Sequence, residues 1–113
     1  MRKLKTFESF GPLYRQVSVS QAKNSFKSRG GYREDITKKE ADTIINFIES
    51  IEGLLVHDVE SELSFMHSDP PREVRITKGG DEWFYIFDDF GGPLGTWYEC
   101  DGFEGLMKCL EDL

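Results

Sequence analysis

The sequence predicts an α+β domain: a three- or four-stranded antiparallel meander packed against two helices and preceded by a basic N-terminal arm. Three observations predict it. Isoleucines recur at helical spacing behind a capping motif at Thr37. From Glu73 onward, β-forming residues alternate with charged ones and are punctuated by glycine pairs. A leucine-rich helical face closes the chain after Asp101. With 113 residues, 38% of them hydrophobic, the chain can build one core and is too short for two good ones.

Residues 1–36 carry the weakest pattern and are expected to be loosely structured or to lie over the rest. Leu4, Phe7 and Phe10 are spaced for a short helical turn that Gly11-Pro12 stops. "YRQVSVSQ" alternates weakly, as a short strand would, and "KNSFKSRGGYR" reads as a basic, polar loop. A domain of residues 37–113 follows. In "ITKKEA", Thr37 and Glu40 form a capping box, with Ile36 and Ala41 placed as a hydrophobic staple. Ala41, Ile44, Ile45, Ile48 and Ile51 then predict a helix over 38–52, which Gly53 ends.

"LLVHDVESELSFMHS" fits both period 2 and period 3.6. Strand is the preferred reading, because "SDPP" follows and leads into a hairpin. In that hairpin, "REVRITK" and "WFYIFDDF" flank Gly79-Gly80, which are expected to supply the two positive-φ positions of a primed turn. "DDFGGPLG" is the next turn and "TWYEC" the next strand. In "ECDGF", Asp101 is placed as an N-cap with Glu104 three positions on. Phe103, Leu106, Met107, Leu110 and Leu113 then form one face of a helix over 102–113.

No stretch approaches the roughly 20 apolar residues of a membrane span. The basic start "MRKLKTFESF" has no apolar segment after it, so a secretory signal is not expected. A cytoplasmic setting is expected, with Cys100 and Cys109 as free thiols. The net charge of −7 is polarised. Residues 1–36 hold eight basic against three acidic residues, and residues 37–113 hold six against eighteen. Such segregation points to interaction surfaces.

Catalytic readings fare poorly against structural ones. Cys100 precedes a helix start, where a thiolate is favoured, but Glu99 and Asp101 flank it and oppose ionisation. Neither His57 nor His67 is tied to it by spacing. Asp81-Glu82, Asp88-Asp89 and Glu111-Asp112 read as solvated loop or helix charge. "DDFGG" lacks the ligand pattern of a calcium loop, and no zinc spacing occurs. No catalytic residue, cofactor or metal is therefore assigned.

Two surfaces remain as binding candidates. Asp58, Glu60, Glu62, Asp88 and Asp89, with Trp83 and Trp97 as aromatic anchors, would meet a basic protein partner. On one strand, Glu60 and Glu62 would project about 6.6 Å apart on the same face. Alternatively, Lys3, Lys5, Arg15, Lys27, Arg29 and Arg33, interleaved with Phe7, Phe10, Tyr14, Phe26 and Tyr32, would contact nucleic acid. A structural component that self-associates through an edge strand is a variant of the first reading.

"LKTFESF" and "WYECDGFEGLMKCLEDL" resemble the start and end of small uncharacterised accessory proteins of large tailed bacteriophages. The likeness covers about a quarter of the chain and excludes residues 12–95. It implies a viral accessory setting in the host cell's cytoplasm, in which small proteins act by binding, with a virion structural component as the variant, and it transfers no catalytic residue.

Overall fold

Side chains that alternate between apolar and polar suit a pleated, half-buried surface, and this pattern builds most of the molecule. The computed structural model describes residues 13–68, 70–89 and 95–113. Among them a six-stranded antiparallel sheet is formed by β1 (Tyr14–Val17), β2 (Leu54–Val59), β3 (Glu62–Ser68), β4 (Pro71–Lys78), β5 (Trp83–Asp88) and β6 (Thr96–Asp101). The spatial order is β1-β6-β5-β4-β3-β2. Three α-helices accompany it: α1 (Val19–Ser28), α2 (Lys38–Ser50) and α3 (Gly102–Asp112). The α+β antiparallel class is thus as expected, with more strands and one more helix than the sequence suggested.

The surplus has two sources. Residues 54–68 fold as the hairpin β2–β3, turning at Glu60-Ser61, with a bulge between Leu55 and His57. The second source is the leading segment. β1 pairs with β6 from Tyr14 opposite Cys100 to Val17 opposite Trp97. Most of "KNSFKSRGGYR", read as a loop, lies in α1. A capping box starts that helix: Ser18 Oγ accepts from the Gln21 N–H at 3.1 Å, and Gln21 Oε1 accepts from the Ser18 N–H at 2.8 Å. Ala22 and Phe26, four residues apart, are its inward stripe. The polar residues that suggested a loop cover the outer side of a helix with a narrow apolar face.

From residue 13 on, the leading segment is therefore part of the fold. The Asp101 N–H donates to the Leu13 carbonyl at 2.8 Å, extending the β1–β6 ladder. The Tyr14 hydroxyl donates to Asp112 at the end of α3. That hydrogen bond, with burial and the carboxylate's charge adding to it, pushes the phenol up to about 12. Further on, the Ile36 N–H donates to the Glu60 carbonyl at 2.6 Å, and the Ile36 side chain enters the core. The expected turn at Leu4, Phe7 and Phe10 and the turn centred on 90–94 lie outside the described residues.

The core lies between one face of the sheet and the pair α2–α3. Ile44 and Ile48 of α2 and Leu106, Cys109 and Leu110 of α3 close over Phe65, Val74, Ile76, Phe84 and Ile86. Tyr85 stands between Phe84 and Ile86 and so points to the opposite face. There α1 meets it: the Phe26 and Tyr85 rings make an edge contact at 5.8 Å, and the Ser25 and Tyr85 hydroxyls are 2.9 Å apart.

Local signals were partly redirected. The Thr37–Glu40 capping box forms, and Glu40 also accepts from Lys78 Nζ at 3.0 Å, pinning α2 to β4. At the far end of α2 the left-handed residue is Glu52 (φ 58°), just before Gly53. Asp101 occupies the N-cap of α3, but its side chain makes no capping hydrogen bond. Between β4 and β5 the positive-φ residues are Asp81 and Glu82, not the glycines. Gly79 and Gly80 serve close approach instead. A Cβ on Gly80 would lie 2.0 Å from the Arg29 carbonyl oxygen, and one on Gly79 would lie 2.8 Å from the Tyr85 ring.

Gly105, inside α3, tests how the leading segment is held. A Cβ there would meet the Leu13 carbonyl oxygen at 2.4 Å. In an unobstructed helix, Gly→Ala stabilises by about 1 kcal/mol. Here Gly105→Ala is expected to destabilise by about 1–3 kcal/mol, as overpacking does, read as a lower urea midpoint. Stabilisation would show that Leu13 does not rest on α3.

Candidate functional site

Charged groups show which surfaces the fold has already used. Arg72 and Asp88 are both buried and form a two-point pair, with Nε to Oδ1 at 3.1 Å and Nη2 to Oδ2 at 3.5 Å. Arg72 Nη1 also donates to the Pro70 carbonyl at 3.1 Å. Asp88, expected in an exposed acidic face, is therefore a structural ion, because its β-strand position points it into the protein. Glu62 is half-buried on β3, with an oxygen 3.9 Å from His57 Nε2, while Glu60 belongs to the preceding turn. The expected row of carboxylates along one strand does not form, since a turn separates these residues. Asp58, Glu60 and Asp89 are exposed, and the first two border a cavity beside Lys38 and Ile36.

The cations of the leading segment divide. Arg15 on β1 pairs with the buried Glu99 across the β1–β6 ladder. The Arg29 guanidinium lies 3.7 Å from the centroid of the Trp83 ring and donates to Ser25 Oγ at 2.6 Å. Arg15, Arg29 and Trp83 are thus engaged within the protein. Lys3 and Lys5 lie outside the described residues. Lys27 and Arg33 remain, and both are exposed.

Lys27 and Arg33 border a groove between α1 and the sheet face that α2 and α3 leave open. Two adjoining cavities form it, about 270 and 340 Å³ in volume, with Arg33, Thr77 and Trp97 common to both. α1 supplies one wall through Ala22, Lys23, Phe26 and Lys27. Tyr85 and Trp97 form the floor on that side. Phe87 and Arg75 continue the floor away from the helix, with Glu62 at the far side. The register explains the convergence. Thr77 lies opposite Tyr85, Arg75 opposite Phe87, and Phe87 opposite Trp97, so alternate residues of three neighbouring strands share this face. The Phe87 and Trp97 ring centroids are 5.0 Å apart at 47°.

Among the described residues, Lys23, Lys27, Arg33 and Lys39 are cations with neither an ion pair nor a ring beneath them. The first three line the groove. Arg75 is held at 3.5 Å by Glu73. The site thus combines an aromatic floor with a rim of uncommitted positive charge. Of the sequence candidates it gathers Trp97, Lys27, Arg33 and Phe26, and it also takes in Glu62, which was expected in an acidic surface. Lys23, Arg75, Thr77, Tyr85 and Phe87 were missed. The i, i+4 pair Lys23–Lys27 was the available signal, and it becomes visible only once α1 is recognised as a helix.

Cys100 is fully buried on β6. Contact with Cys109, then burial, then the charge of Glu99 push its thiol well above the usual range. His67 on β3 lies three strands away and His57 on β2 four strands away. At about 4.8 Å per strand, the nearer is roughly 14 Å off, beyond any proton transfer to that sulfur. Among the described residues, no three His, Cys, Asp or Glu side chains converge as metal ligands. No helix of the described residues is long and apolar enough to cross a membrane. Comparison of the chain with protein-family models, curated proteins and solved structures finds no match.

The two kinds of carboxylate separate on mutation. Asp88→Asn strands the buried Arg72 charge and is expected to cost about 3 kcal/mol or more in urea unfolding. Asp58→Asn and Glu60→Gln, at exposed positions, are expected to stay within about 0.5 kcal/mol of the parent. Equal small effects for all three would remove the structural role given to Asp88.

Proposed function

We propose that this chain is a non-enzymatic binding module that takes an anionic partner into the groove beside α1. The observation that carries the reading is the convergence of Lys23, Lys27 and Arg33, none with an acid of its own, on a cavity floored by aromatic rings. Surface cations in a folded protein are cheap to leave solvated, so their lack of partners alone means little. Gathered on one concavity, they create a local positive potential that raises the encounter rate with an anion. Part of the net charge of −7 lies away from this rim, and Glu62 stands at the far side of the groove. Glu104, Glu111 and Asp112 belong to α3, on the other side of the sheet. At about 0.1 M salt, exposed charges more than about 10 Å apart are largely screened from one another.

A second reading keeps the acidic side as the docking surface for a basic protein. Exposed Asp58 and Glu60 favour it, because they sit beside the exposed apolar side chains Val56 and Val59. Binding in either mode accords with the accessory role that the terminal motifs imply.

Amide chemical-shift mapping separates the two modes. With poly-L-glutamate at low salt, shifts are expected to concentrate in residues 19–33, 75–77, 87 and 97, and to fade as salt rises. Poly-L-lysine shifting residues 56–62 while poly-L-glutamate leaves the groove unchanged would contradict the first reading and favour the second. Silence towards both polymers would contradict both.

A further inference from the structure

Three properties of the groove narrow its partner beyond "anion", on the premise that the anion-binding reading is right. The first is the position of the rings. Trp97 is common to both cavities, and Phe87 lies against it at 5.0 Å. Aromatic faces carry negative partial charge, so they repel a carboxylate placed over them and accept a flat, neutral ring. An acidic peptide would satisfy the cations and find the floor unfavourable. A chain that alternates phosphates with planar bases satisfies both.

The second property is the division of labour between rim and floor. Lys23 and Lys27 stand one turn apart on α1, and Arg33 faces them from the segment after that helix. α1 is ten residues long, about 15 Å. Cations along such a wall track a backbone, while Trp97 and Phe87 lie where a base would turn inward. The third property is depth. Ring faces at the floor of a recess can stack only on a base whose own face is free, and in a duplex those faces are hidden in the stack.

We propose that the groove binds single-stranded nucleic acid, with a base stacked on Trp97 and the flanking phosphates held by Lys23, Lys27 and Arg33. Thr77, also common to both cavities, carries a hydroxyl that can donate to or accept from a base edge. DNA and RNA share the chemistry used, a planar base and a phosphate. Glu62, at the far side of the second cavity, leaves that end the less favourable for a phosphate.

The test is fluorescence anisotropy of labelled oligothymidylate and oligouridylate with the full-length protein. An abasic oligonucleotide of equal charge and poly-L-glutamate serve as comparison ligands. Three phosphate contacts on a single strand predict a log–log salt slope of about −2, or roughly a 15-fold loss of affinity between 50 and 200 mM salt. Loss of base stacking predicts at least about fivefold weaker binding of the abasic strand. Lys27→Gln with Arg33→Gln changes exposed side chains only, and is expected to bring the slope to about −0.7 with an unchanged circular dichroism spectrum. Tighter binding of one sugar type identifies which nucleic acid is preferred.

An abasic strand that binds as well as the parent overturns the stacking role of Trp97 and with it the proposal. Poly-L-glutamate binding with no response to any oligonucleotide overturns nucleic acid as the partner and leaves the anion-binding reading standing. Binding to none of these ligands ends both.

Discussion

A six-stranded sheet presents two faces, and the described residues hold helix enough to cover one of them. Five inter-strand gaps make the sheet about 24 Å wide. α2 and α3 together close its inner face over Phe65, Ile76, Phe84 and Ile86. Among the described residues, the outer face has α1 alone, a rod about 15 Å long. α1 is anchored at one side by Phe26 and Ser25 against Tyr85, and by Arg29 over Trp83. Among the described residues nothing covers the rest of that face, and its aromatic residues border a groove rather than a core. The groove beside α1 follows from that incomplete covering.

Charge follows the same division. Where a charged side chain points into the protein it is matched: Arg72 with Asp88, Lys78 with Glu40, and Glu99 with Arg15. Buried ions must be paired, since an unpaired one costs several kcal/mol. The polarity seen along the chain is real in sequence, yet the fold redistributes it. Arg15 and Arg29 are spent on internal contacts, and Lys23, Lys27 and Arg33 are carried by α1 and the segment after it to the edge of the aromatic floor. From residue 13 on, the basic segment thus lines one wall of a groove that it forms jointly with β4, β5 and β6.

Periodic, strongly apolar elements were legible in the sequence. The helix begun by the Thr37 box and the leucine face after Asp101 stand close to where their spacing put them. So do the strands around Val74–Ile76 and Trp83–Phe87. α1 was not legible, because two inward residues make too narrow a stripe for periodicity to register. The β2–β3 hairpin was hidden by Glu60-Ser61 at its turn, where glycine or asparagine would have marked it. The roles of Gly79 and Gly80 depend on the end of α1 lying against them, a contact between distant segments that no local pattern encodes. The groove was illegible for the same reason: its residues meet only through strand register and the docking of α1. Trp97 was visible as a candidate, but its neighbours were not.

The central claim is that β1 and α1 belong to the cooperative fold and so create the groove. Native-state amide hydrogen exchange tests it residue by residue. Amides of β1 that face β6, and those in the middle of α1, are expected to be slowed at least about a hundredfold relative to an unstructured chain. Their protection should fall together with that of β5 and β6 as denaturant is added. Amides of residues 14–28 exchanging at unstructured rates while β3 to β6 remain protected would contradict it, and the aromatic face would then have no helical wall.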